Sequence, residues 1–101
     1  MAMRSSYRQT CHDHAVARSV GQYLSYGYKV WADISGHPKP PKLCIDGYCK
    51  IPDIFAKKGR YIQVIEFETP ESVRKDSFQH RVFRTWARRN GAHFHLRVCD
   101  A

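Results

Sequence analysis

The sequence predicts an α/β domain in which two helices flank a mixed sheet. Apolar residues recur at helical spacing in two segments, about 11–26 and 72–90. Between and after them lie runs rich in β-branched and aromatic residues, bounded by glycine and proline. A chain of 101 residues, 43% of them hydrophobic, suits one domain with one small core. The predicted order is helix, strand, strand, strand, helix, strand.

Residues 1–9 are basic and polar and read as a loose arm. Thr10 then has the character of an N-cap, with Asp13 three residues on as its capping-box partner. The helix is expected from Cys11 to Tyr26, with Gly27 as its stop. Val16, Val20, Tyr23, Leu24 and Gly27 form one stripe, with His12 at its edge and His14 nearly opposite. Tyr28 to Ile34 is a predicted strand. The proline-rich stretch 35–42 follows as an extended loop, in which His37, Lys39 and Lys42 either meet phosphates or are simply solvated. Leu43 to Asp46 reads as a short strand piece before Gly47.

The stretch Ile51 to Thr69 reads as two strands joined by the turn Lys57-Lys58-Gly59-Arg60. The second strand places Ile62, Val64, Glu66 and Glu68 on one face. Carboxylates beside aliphatic residues are costly to bury unless paired or bound to a cation. If a hairpin turning at Gly59 brings these strands together, Asp53 and Glu66 are the natural pair to share a divalent ion. Solvated side chains at a strand end are the simpler alternative.

Pro70 ends this strand, and the second helix is expected from Ser72 to Asn90, stopped by Gly91. Its apolar arc holds Phe78, Val82, Phe83, Trp86 and Ala87, with Gln79 inside the arc. A glutamine facing the sheet needs a hydrogen-bond partner. Arg74, Arg81, Arg84 and Arg88 lie on the other side, as a phosphate-contacting stripe or a solvated face. In the last strand, Ala92 to Cys99, Phe94, Leu96 and Val98 alternate with His93, His95 and Arg97. The His-x-His pair reads as the wetter face of an edge strand.

Pro52-Asp53 and Glu66-Phe67-Glu68 together resemble the PD-(D/E)xK nuclease superfamily, which includes restriction enzymes, Holliday-junction resolvases and RecB-like nucleases. Glu68 stands where the family's lysine is usual, as in a minority of its restriction enzymes. Gln79-His80-Arg81-Val82-Phe83 resembles the Gln-x-x-x-Tyr element of the RecB-like branch, with phenylalanine for tyrosine. The resemblance implies a restriction-endonuclease-like αβββαβ core and metal-dependent phosphodiester hydrolysis. It implies Asp53 and Glu66 as ligands of Mg²⁺ or Mn²⁺, with the Phe67 carbonyl as a further ligand. Glu68 is then a general base or a second-ion ligand, and Gln79 has a place at the site. The family's first-helix glutamate is missing, and His12 is the residue placed to substitute for it. Lys50 or Lys75 is a possible source of the missing positive charge. The alternative is a catalytically degenerate nucleic-acid-binding module of the same fold. A protein-interaction domain with no nucleic-acid role is a third option.

A net charge of +8 favours an anionic partner, with nucleic acid as the leading class, and the resemblance implies DNA first. No run is long enough to span a membrane. The segment Met1 to Ser6 lacks the apolar stretch of a secretory signal. Cys11, Cys44, Cys49 and Cys99 contain no CxxC pair and read as free thiols of a cytoplasmic protein, with a Cys/His zinc site as the lesser alternative. Homodimerisation through Tyr7, Tyr26, Tyr48 or Phe94 is an open expectation.

Overall fold

The alternation of apolar residues along two adjacent strands decides the architecture, because it forces both faces of the sheet to be covered. The computed structural model describes residues 6–99, with side chains from residue 11 onward. Its elements are α1 (Ser6–Ser25), β1 (Lys29–Ala32), β2 (Leu43–Ile45), β3 (Tyr48–Lys50), β4 (Ile54–Lys58), β5 (Tyr61–Glu68), α2 (Ser77–Arg89) and β6 (His93–Val98). The main sheet has the order β1-β4-β5-β6. Its first two pairings are antiparallel and β5–β6 is parallel. The parallel pair follows from α2, which carries the chain back across the sheet before β6 begins. The expected α/β domain with a mixed sheet and two flanking helices is therefore present.

Ile54, Ala56, Ile65 and Phe67 face α1 and pack with Val16 and Val20. Phe55 and Val64 face the other way and pack with Phe83 of α2 and Leu43 of β2. Glu66 and Glu68 share the α2 face with Val64, as their spacing requires. Lys58 pairs with Tyr61, so the central turn is the two residues Gly59-Arg60. Gly59 has φ +60°, which glycine adopts without steric cost.

Several boundaries differ from expectation. Helix α1 is already formed at Ser6, so Thr10 and Asp13 lie inside it and not at its start. No glycine or proline interrupts Ser6–Thr10, and the helix runs through Thr10 despite its capping tendency. The expected loose arm is thus helical from Ser6, and its first five residues lie outside those described. Helix α2 begins at Ser77 and not at Ser72. Residues 70–76 form turns instead, in which Thr69 and Ser72 bond each other's backbone and side chains. Such local bonds compete with helix formation. Arg74 consequently lies off the helix that carries Arg81, Arg84 and Arg88.

The piece expected before Gly47 is one arm of a hairpin, β2–β3, with Ile45 paired to Tyr48. Its turn, Asp46-Gly47, has φ of 50° and 86°, the pattern that suits tight hairpins. The free-thiol expectation fails. Cys11 is joined to Cys99, and Cys44 to Cys49 across the β2–β3 pair. Sequence spacing could not reveal the first bridge, because 88 positions separate its ends. With all four sulfurs paired, the thiolates of the zinc alternative are absent as well. Among the described residues no helix is long and apolar enough to cross a membrane.

The long bridge should dominate the covalent contribution to stability. Loop-closure entropy gives roughly 4–5 kcal/mol for a link of this span and about 2 kcal/mol for the hairpin bridge. Urea unfolding of the Cys11→Ser/Cys99→Ser and Cys44→Ser/Cys49→Ser proteins is expected to show the larger loss in the first.

Candidate functional site

Asp53 sits where β4 begins and the antiparallel ladder with β5 gives out. Its carbonyl accepts from the Asp33 N–H at 2.9 Å. Its N–H donates to Glu66 Oε1 at 3.0 Å, and its Oδ2 accepts from the Phe67 N–H at 2.8 Å. The aspartate thus continues the ladder with side-chain bonds where main-chain pairing has stopped. This brings Asp53 and Glu66 together, as the hairpin predicts.

Glu66 and Glu68 are each 5% exposed. The second oxygen of Glu66 accepts from Gln79 Nε2 on α2. The glutamine inside the helical arc therefore has the partner it needs, and that partner is a site carboxylate. Glu68 Oε1 lies 3.0 Å from His80 Nε2, and its Oε2 accepts from the Ser72 hydroxyl. From α1, His12 places Nε2 3.2 Å from Asp53 Oδ2 and Nδ1 3.4 Å from Asp13 Oδ1. The imidazole is 15% exposed, and its edge approaches the Phe67 ring. His12, Asp53, Glu66, Glu68 and Gln79, drawn from α1, β5, α2 and the loop before β4, line one cleft of ≈290 Å³. Asp13, Asp33 and Asp76 complete its acidic wall.

Burial is the main cause that raises the Glu66 carboxyl, to about 9, and the nearby Asp53 charge adds to it. Glu68 is also raised by burial, while the bonds from Ser72 and His80 act in the opposite direction. Glu66 is therefore a carboxyl that keeps a proton at neutral pH unless another cation takes the proton's place. No group of three or more His, Cys, Asp or Glu side chains in metal-holding geometry occurs among the described residues. The donor chemistry nevertheless suits a hard ion. Magnesium commonly takes one or two protein carboxylates and fills its remaining positions with water and phosphate. Asp53 and Glu66 supply that number.

The basic candidates lie elsewhere. No lysine or arginine lines the cleft among the described residues, so neither Lys50 nor Lys75 stands in for the missing lysine there. Lys39 pairs at 3.1 Å with Asp33 of the acidic wall. Lys42, Arg74, Arg81, Arg84 and Arg88 are exposed. Arg84 rests its guanidinium over Phe94, 5.6 Å from the ring centre. Phe94 is half-buried against Phe83 and so is less available to a partner than expected. His95 is held by Gln63 at 2.7 Å on edge strand β6, apart from the cleft residues, and burial lowers its pKa.

His80 and Ser72 were not singled out by the sequence, although Glu68 on a core-facing strand position demanded partners of their kind. Asp33 and Asp76 carried no local signal. No protein-family model, curated protein or solved structure matches the chain. Function must therefore be argued from the site itself.

Two measurements probe these bonds. Glu66 binds its proton more tightly in the folded than in the unfolded chain, so its stabilising contribution is complete below the ordinary value of 4.5 and is lost as pH rises toward about 9. In EDTA the melting temperature should fall across that window, and Glu66→Gln should flatten the slope. His80→Ala leaves the buried Glu68 oxygen unpaired and should cost roughly 1–3 kcal/mol in chemical denaturation.

Proposed function

We propose that this protein is a metal-dependent nuclease that hydrolyses phosphodiester bonds, with DNA as its first substrate class. The observation that carries this reading is the convergence of Asp53 and Glu66 at the ladder's end, in one acidic cleft with His12 and Gln79. No lysine or arginine among the described residues lines that cleft, and the chain's net charge of +8 suits a polyanion approaching it. Resemblance to the PD-(D/E)xK superfamily, with its restriction-endonuclease-like core, points the same way.

Asp53 and Glu66 are the residues to hold Mg²⁺ or Mn²⁺. Such an ion supplies Lewis-acid polarisation of the phosphate and an acidified water. Gln79 fixes one Glu66 oxygen and the Asp53 N–H fixes the other, so the carboxylate is oriented before any substrate arrives. His12 orients Asp53 from the α1 side. Both of its ring nitrogens face carboxylates, Asp53 and Asp13, which favours a positioning part for it over that of base. Glu68 has both oxygens engaged by His80 and Ser72, which favours an anchoring part for it over that of base.

A degenerate nucleic-acid-binding module is the second reading. It is favoured by the lack of any lysine or arginine on the cleft wall among the described residues and by the engagement of Glu68. The two disulfides count against a cytoplasmic placement, since disulfides persist best in oxidising surroundings.

Labelled single-stranded, duplex and four-way-junction DNA, each incubated with Mg²⁺, Mn²⁺ or EDTA, separates the two. The nuclease reading expects cleavage that EDTA and Asp53→Ala both abolish, and reduced cleavage in His12→Gln, which loses the contact that orients Asp53. Binding without cleavage in either metal would establish the module instead.

A further inference from the structure

A second surface stands apart from the acidic cleft. The β2–β3 hairpin packs beside α2 and leaves a groove of ≈230 Å³ between them. Ile45 and Val82 give it apolar lining, and Arg81 and Arg89 line it as well. Two aromatic residues lining it are left in solvent. Tyr48 is 58% exposed and Phe78 is 46% exposed. Their rings meet edge to face with centroids 5.1 Å apart. Phe78 was expected in the helix's buried arc, and its exposure is the departure that marks this surface.

The geometry points to this groove as a binding site for an unpaired nucleotide segment, with bases stacked on Tyr48 and Phe78 and phosphates met by Arg81 and Arg89. The inference deepens the nucleic-acid reading of the chain and rests on it. Charge complementarity selects the occupant: an apolar peptide has no use for two exposed guanidinium groups, whereas a polynucleotide needs both rings and cations. A duplex keeps its base faces stacked internally, so only unpaired bases offer a face to an exposed ring. The platform is also rigid before binding. Tyr48 follows the tight Asp46-Gly47 turn and adjoins Cys49, which is crosslinked to Cys44. Less ordering entropy is then lost when a base lands on it. Asp46 opposes a phosphate at the same rim, where it sits 3.8 Å from Arg89. Both partners are exposed, so this pair is weak and readily exchanged for a phosphate contact.

Fluorescence anisotropy in EDTA with labelled oligo(dT), and with a duplex of equal length, tests the groove without cleavage. Tyr48→Ala and Phe78→Ala should each weaken oligo(dT) binding by about 5- to 100-fold and leave duplex binding nearly unchanged. Arg81→Ala should weaken both ligands and lower the salt slope by about 1. Asp46→Asn should strengthen binding. Both aromatic positions are exposed, and circular dichroism with thermal melting confirms that the variants fold. Unchanged oligo(dT) affinity in the aromatic variants, or equal losses for oligo(dT) and duplex, overturns the inference. So does a dimer, seen by sedimentation, that Tyr48→Ala dissociates, because a second copy then covers the face. The nuclease reading fails or stands separately. Cleavage abolished by Asp53→Ala, with oligo(dT) binding indifferent to Tyr48 and Phe78, refutes the groove alone. Tyr48-dependent binding without cleavage by the native protein keeps the groove and refutes the nuclease.

Discussion

The structure depends on how two carboxylates are kept at the end of a sheet. Glu66 occupies a core-facing position on β5, with aliphatic Val64 two residues before it. Taking its charge out of water is costly, and the cost is offset by the Asp53 N–H and the Gln79 amide, or by holding a proton. Asp53 is in turn held by the Phe67 N–H and His12. These bonds tie β4, β5, α1 and α2 to one point. A cation or a proton at Glu66 relieves the same electrostatic strain, so a single constraint links the fold's stability to the chemistry of the cleft.

The Cys11–Cys99 bridge reinforces that point from outside. Cys11 directly precedes His12 on α1, and the Cys99 N–H donates to the Glu68 carbonyl at 2.6 Å. Arg97 adds a bond from β6 to Ser19 of α1 at 3.1 Å. The helix that supplies His12 and the strand beside Glu68 are therefore joined both covalently and by hydrogen bonding. On the opposite face, the second bridge stiffens the hairpin that carries Tyr48. Both surfaces with chemical interest are thus braced by crosslinks, in a domain too small to rely on a large core.

Legibility in the sequence followed locality. The Gly59 turn, the shared face of Glu66 and Glu68, and the inward position of Gln79 all depend on spacing within one element or one tight turn, and each is observed. The β2–β3 hairpin had an equally local signal in Asp46-Gly47, but its strands are only three residues each, too short for an alternation pattern. The start of α2 was misplaced because Thr69 and Ser72 satisfy backbone groups that a helix would otherwise use. The partners of Glu68 were missed because a buried carboxylate announces its need for a donor without naming which residue will provide it.

By itself, then, the sequence determined the order of the two helices and the four strands of the main sheet, the two-sided sheet and the pairing of Asp53 with Glu66, because periodicity and turn chemistry act over a few residues. Tertiary structure decided what meets across long separations. It chose His12 as the neighbour of Asp53, His80 and Ser72 as the anchors of Glu68, Cys99 as the partner of Cys11, and solvent as the environment of Phe78. Those outcomes depend on how α1, α2 and the hairpin seat against the sheet, and no local pattern encodes the distance between side chains brought together only by packing.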